Sequence, residues 1–160
     1  MRKLKINWSE LDTAFEHSSW EMHNYLDLET GEVILVTDET ARYLEDPPSY
    51  ELPDWQQQAI QVARQIEEDE EDRYLPIPQV ESHEGYRVME DFVATVSEQR
   101  AQDQLRQALQ GRKPFRRFKD ALYDYPGEEK RWFAFSERRL QGRMVEWLES
   151  EGIQPTNPPH

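Results

Sequence analysis

The block Gly111-Arg112-Lys113-Pro114-Phe115-Arg116-Arg117-Phe118-Lys119-Asp120 carries the clearest chemistry in this sequence. A proline that follows a glycine and two cations suits the first turn of a helix. The first N–H groups of such a helix have no intrahelical acceptor, and beside Arg112 and Lys113 they favour an anion. Phe115 and Phe118, spaced i and i+3, are expected to face the core and to leave Arg116, Arg117 and Lys119 outward. Arg112, Lys113, Arg116, Arg117 and Lys119 are therefore the candidate anion-binding residues, for a phosphate-bearing ligand or nucleic acid. The same cations would also serve to balance the acidic part of the chain, or to keep one helix face solvated.

Other chemistries find less support. The run Glu67-Glu68-Asp69-Glu70-Glu71-Asp72 is rich in carboxylates but lacks the alternating ligands and central glycine of a calcium loop, so a solvated connector is expected. The four histidines, His17, His23, His83 and His160, form no H-E-x-x-H pair and no i, i+4 pair. His17 and His23 with a carboxylate would suit a metal, but surface or hydrogen-bonded roles are expected, and no metal site is assigned. There is no cysteine, which excludes disulfides, thiolate metal sites and a cysteine nucleophile within this sequence. No G-x-S-x-G elbow and no nucleotide-type glycine loop occurs. With 33 Asp and Glu, carboxylate pairs arise by chance, so an enzyme working through carboxylates and His23 is the weakest reading, and no catalytic residue or cofactor is assigned.

These side chains need a frame to hold them. A length of 160 residues suits one domain, expected over 1–153, with a proline-rich tail at 154–160. An apolar fraction of 36%, a charged fraction of 32% and a net charge of −14 lean toward disorder, but five Trp, seven Tyr and six Phe argue for a folded core. The core is thin, and a homo-oligomer would supply further burial. The charge is uneven: residues 1–100 hold 8 Lys and Arg against 24 Asp and Glu, whereas residues 101–160 hold 11 against 9. The basic N-terminus has no apolar run after it, and the longest apolar run, Val33-Ile34-Leu35-Val36, falls far short of the ~20 residues of a membrane span. A cytoplasmic protein without a membrane partner is expected.

Along the chain, Ser9 reads as the cap of a short helix with Leu11, Ala14 and Phe15 inward. Trp20, Met22, Leu26 and Leu28 alternate in strand period, and a three-residue loop closed by Gly31 turns them into the β-branched run ending at Thr37. Glu39–Leu44 and Asp54–Glu67 read as helices, the second with Trp55, Ala59, Val62, Ala63 and Ile66 on its inner stripe. Two prolines confine Tyr74–Pro78 to an edge strand or a strapping segment. Three further helices are expected, with stripes Val88–Val96, Leu105–Leu109 (closed by Gly111 in the left-handed region) and Phe115–Leu122. A last helix over 128–149 carries Trp132, Phe133, Leu140, Met144, Trp147 and Leu148 and stops at Gly152. Trp8 has no assigned place. The fold class is α+β, mostly helical: a β-hairpin, widened by a short third edge strand, on about five helices.

The hairpin Tyr25-Leu26-Asp27-Leu28-Glu29-Thr30-Gly31-Glu32-Val33 resembles a bacterial group catalogued as uncharacterised protein family 0158. The resemblance continues through Ile77-Pro78, Tyr86, Met89 and Phe92, the Phe115–Asp120 block, Trp132 and Phe135, and closes at Trp147-Leu148 and Gly152-Ile153. It implies a bacterial cytoplasmic domain taken as a whole, and it implies no activity, cofactor or site residues. The function expected is thus a non-enzymatic binding or regulatory module acting on a protein partner, with phosphate or nucleic-acid binding through residues 112–119 as the alternative.

Overall fold

The computed structural model describes residues 1–16, 22–79 and 82–159. The expected inward position of Trp20 and the pairing of His17 lie outside the described residues. The contacts group into two compact units, Met1–Gln79 with Met144–His160, and Val80–Arg143. Among the described residues there are seven helices, a three-stranded antiparallel sheet and a small parallel strand pair, an α+β fold.

The first unit holds β1 (Arg2–Leu4), α1 (Trp8–Glu16), β2 (Met22–Asp27), β3 (Val33–Thr37), α2 (Asp38–Glu45), α3 (Asp54–Glu67), β4 (Tyr74–Pro76), the end of α7 (Pro126–Ser150) and β5 (Ile153–Pro155). The sheet order is β3-β2-β4, and Leu26 pairs with Val33 on one side and Leu75 on the other. β4 sits at the edge, as its proline requires. The hairpin loop is Leu28–Gly31, one residue longer than expected: the Asp27 N–H donates to the Glu32 carbonyl at 2.9 Å and the Gly31 N–H to the Asp27 carbonyl at 2.8 Å. Gly31 takes φ +78°, which only glycine adopts without strain.

Three expectations for this unit are corrected. Asn7, not Ser9, caps α1, its Oδ1 accepting the Glu10 N–H at 3.2 Å. The tail is structured, because β5 runs parallel to β1 with Arg2 opposite Ile153, and the Asn157 side chain clasps Ile6 through two 2.8 Å hydrogen bonds. Pro155 is tolerated there since a two-stranded pair is all edge. Trp8 is buried and donates its Nε1–H to the Asn157 carbonyl at 3.1 Å, which explains an aromatic that local pattern left unplaced. Trp55, expected inside, is 69% exposed, and α3 buries only Ala63. Periodicity puts Trp55 on the inner stripe but does not say how far along the helix the covering element reaches.

The second unit contains α4 (Ser82–Val93), α5 (Gln99–Leu109), α6 (Pro114–Tyr123) and α7 up to Arg143. Its core joins Met89, Phe92, Val93, Val96, Ala101, Leu105, Leu109, Phe118, Leu122 and Trp132. Phe92 is the hub: its ring meets Trp132, Phe135 and Phe118 edge-on at centroid distances of 5.4, 5.5 and 6.4 Å. Adjacent Trp132 and Phe133 cannot both face inward on a helix, and Phe133 is the exposed one. Pro126 opens α7, two residues before the start expected at 128.

Candidate anion-binding surface

The turn between α5 and α6 sets the geometry of the basic block. Gly111 does not take a positive φ; the left-handed residue is Lys113, at φ +53°, the N-cap of α6. Gly111 instead leaves room that the flexible end of an exposed side chain fills. A Cβ there would stand 1.6 Å from Arg117 Nη1, so the Arg117 guanidinium folds back over the turn that carries Arg112 and Lys113. Pro114 occupies the first turn of α6 and no side chain caps the helix, which leaves the Phe115 and Arg116 N–H groups without an intrahelical acceptor. Phe118 and Leu122 anchor α6 in the core, whereas Phe115 is only half covered, against Gly85.

All five candidate residues, Arg112, Lys113, Arg116, Arg117 and Lys119, are exposed. None of them is in an ion pair among the described residues. The acids of this unit that do pair go to α7: Asp91 to Arg139 at 2.8 Å, Glu84 to Arg143 at 3.9 Å, and Glu128 to Arg131. The unit carries 13 Lys and Arg against 11 Asp and Glu, and the other unit 6 against 22. The cations of the block therefore lie on the α5–α6 turn and the first two turns of α6, with no ion pair to a carboxylate among the described residues.

Other polar groups among the described residues hold parts of the fold together. Asp27 is a buried carboxylate with a bidentate partner, Arg73 donating from Nε and Nη2 at 3.0 Å each, while the Glu29 N–H donates to Oδ1 at 2.9 Å. Burial pushes its pKa up, but the Arg73 hydrogen bonds, the Glu29 N–H and the Arg73 charge outweigh that and hold it below the ordinary carboxylate value. This clamp ties the hairpin loop to the segment entering β4, and nothing local in the sequence announced it. His23 is exposed and meets Asp38 at 3.0 Å, without a second catalytic group beside it in these contacts. Part of the acidic run serves as a turn: Asp69 accepts the Glu71 N–H at 3.1 Å and the Tyr74 N–H at 3.0 Å. Among the described residues no group of His, Asp and Glu is arranged to hold a metal ion. A polar cleft of about 480 Å³ lies between the start of α1 and the hairpin loop, lined by Lys5, Asn7, Trp8, Thr30 and Asn157 among others. No helix of the described residues is long and apolar enough to cross a membrane.

The profile of a protein family described as uncharacterised protein family UPF0158 matches residues 1–158. The chain belongs to this family. A UPF0158 protein of Pseudomonas aeruginosa is 34% identical over 155 residues, covering 97% of this chain and 88% of the relative. UPF0158 proteins of Chlamydia trachomatis and Chlamydia muridarum are each 25% identical over 142 residues, or 88% of this chain. The match spans 39% of the first of these and 38% of the second, so this chain corresponds to about two fifths of the chlamydial proteins. No solved structure matches. In this UPF0158 chain the residues that carried the resemblance divide by role. Tyr25–Val33 form the clamped hairpin, and Phe92, Phe118, Trp132 and Phe135 form the aromatic centre of the second unit. Arg116, Arg117 and Lys119 are the solvent side of the same α6 block.

Proposed function

We propose that this UPF0158 protein is a binding module whose ligand surface is the start of α6, and that the ligand carries phosphate. The observation that supports the reading is the exposure of Arg112, Lys113, Arg116, Arg117 and Lys119 with no ion pair among the described residues. An anion reaching the α6 start meets two free N–H groups and five cations on a helix fixed by Phe118 and Leu122. Repulsion from the net charge of −14 acts over about 8 Å at physiological salt, so contact at the patch survives while long-range steering does not. Short DNA and RNA, titrated by fluorescence anisotropy at two salt concentrations, test this. Five phosphate contacts on a single strand predict a log–log salt slope of about −3.5. Arg116→Glu with Arg117→Glu is expected to weaken binding roughly a hundredfold. Absence of binding at low salt, or binding indifferent to salt, would return the block to surface solvation.

A second reading, a protein partner, rests on the first unit. Trp55 and Tyr50 are exposed there, α2 buries no residue, and the surroundings are strongly acidic. Such a partner would present apolar side chains flanked by cations. Trp55→Ala is expected to leave the melting temperature nearly unchanged, a shift of under ~0.5 kcal/mol for an exposed ring, while abolishing capture of that partner. Capture that persists undiminished in the variant would remove Trp55 from the contact.

A further inference from the structure

We infer that the α6 surface takes single-stranded nucleic acid, with Tyr123 as the platform on which a base stacks; this rests on the phosphate-binding reading above. Tyr123 ends α6 and is 79% exposed, the most open aromatic among the described residues. Its hydroxyl makes no hydrogen bond among the described residues, so no contact of the fold accounts for it. At 3.6 residues per turn, Tyr123 lies within ~20° of Arg116 around the helix and ~10 Å along it, with Lys119 within ~60° of the same line. Arg112 and Lys113 precede the helix start and are exposed, and Asp120 is the carboxylate that interrupts the line on α6.

The chemistry of that line selects its ligand. Cations spaced along one face follow a phosphate backbone, and an aromatic ring open at the end of the track offers a face to a base. A duplex buries its base faces in its own stack and gives such a ring nothing to meet. A single strand presents phosphate and base together, and stacking of this kind tolerates any base identity. The surface thus fits a strand without predicting a sequence preference.

The test uses the full chain and a short fluorescein-labelled pyrimidine strand, as RNA and as DNA, against the duplex of the same sequence and against inorganic polyphosphate. Tyr123→Ala is expected to weaken the single strand about tenfold while leaving its salt slope and the binding of duplex and polyphosphate unchanged. Tyr123→Phe keeps the ring and should bind as the parent does. Asp120→Asn removes the opposing charge and should tighten every polyanion a few fold. Both sites are exposed, and circular dichroism verifies that each variant folds. A Tyr123→Ala protein that binds the strand as the parent does, or a duplex or polyphosphate bound as tightly as the strand, overturns the inference and leaves the phosphate reading standing. No binding of any of the polyanions overturns both.

Discussion

Phe92→Ala is expected to remove about 4 kcal/mol from the unfolding free energy, a large share of the roughly 5–15 kcal/mol that holds a typical domain folded. Phe92 is 0% exposed and touches three aromatic rings edge-on, so truncation leaves a cavity walled by stiff side chains that cannot collapse into it. One of those rings, Phe118, anchors α6, so loosening it also releases the helix that presents the cations. Urea unfolding followed by tryptophan fluorescence measures the loss, since Trp132 lies 5.4 Å from Phe92. Phe133→Ala on the same scaffold is the control: its ring is exposed and the change should stay within ~0.5 kcal/mol. Equal effects of the two truncations would mean that Phe92 is not the hub.

Gly31→Ala is expected to cost roughly 3 kcal/mol or more, although it replaces one small residue with another. Two causes add. Gly31 sits at φ +78°, where an L side chain costs ~1–2 kcal/mol. A Cβ there would also stand 1.7 Å from the Lys5 carbonyl oxygen, which is backbone and cannot rotate aside. Relief requires separating the hairpin loop from the β1–α1 connection and breaking the Asn7 N–H bond to the Gly31 carbonyl, at 3.2 Å. Gly152 separates the two causes. It has φ +74° but open space where its Cβ would be, so Gly152→Ala should cost about 1 kcal/mol or less, the strain being partly offset by a less flexible unfolded chain. Thermal melts of the two variants decide the point, and indistinguishable melting temperatures would refute the close approach at Lys5.

The candidate site was half legible beforehand. The five cations could be named because Gly111, Pro114, Phe118 and Leu122 mark a helix start and an inner face within one short stretch. Whether the acidic residues would cover them could not be read there, since ion pairing depends on which helix lies alongside. In the second unit the carboxylates of α4 go to the arginines of α7, many residues away in sequence. Tyr123 was missed although its signal existed: the i, i+3, i+7 spacing from Arg116 through Lys119 puts it on the cationic line.

Interactions within one turn or one hairpin are written in neighbouring residues, and there the sequence by itself determined the outcome. Gly31 turns the hairpin, Pro114 starts α6, and Gly152 ends α7, each through the φ it allows or the donor it lacks locally. The tertiary structure alone decided what depends on distant closure. β1 finds β5 across almost the whole chain, Arg73 reaches Asp27 over 46 residues, and Trp55 stays outside although its helical stripe points inward. The physical reason is that periodicity fixes the direction of a side chain from its own axis, whereas burial requires a second element to arrive there. That arrival is set by loop closure and by competition among all the apolar faces of the unit.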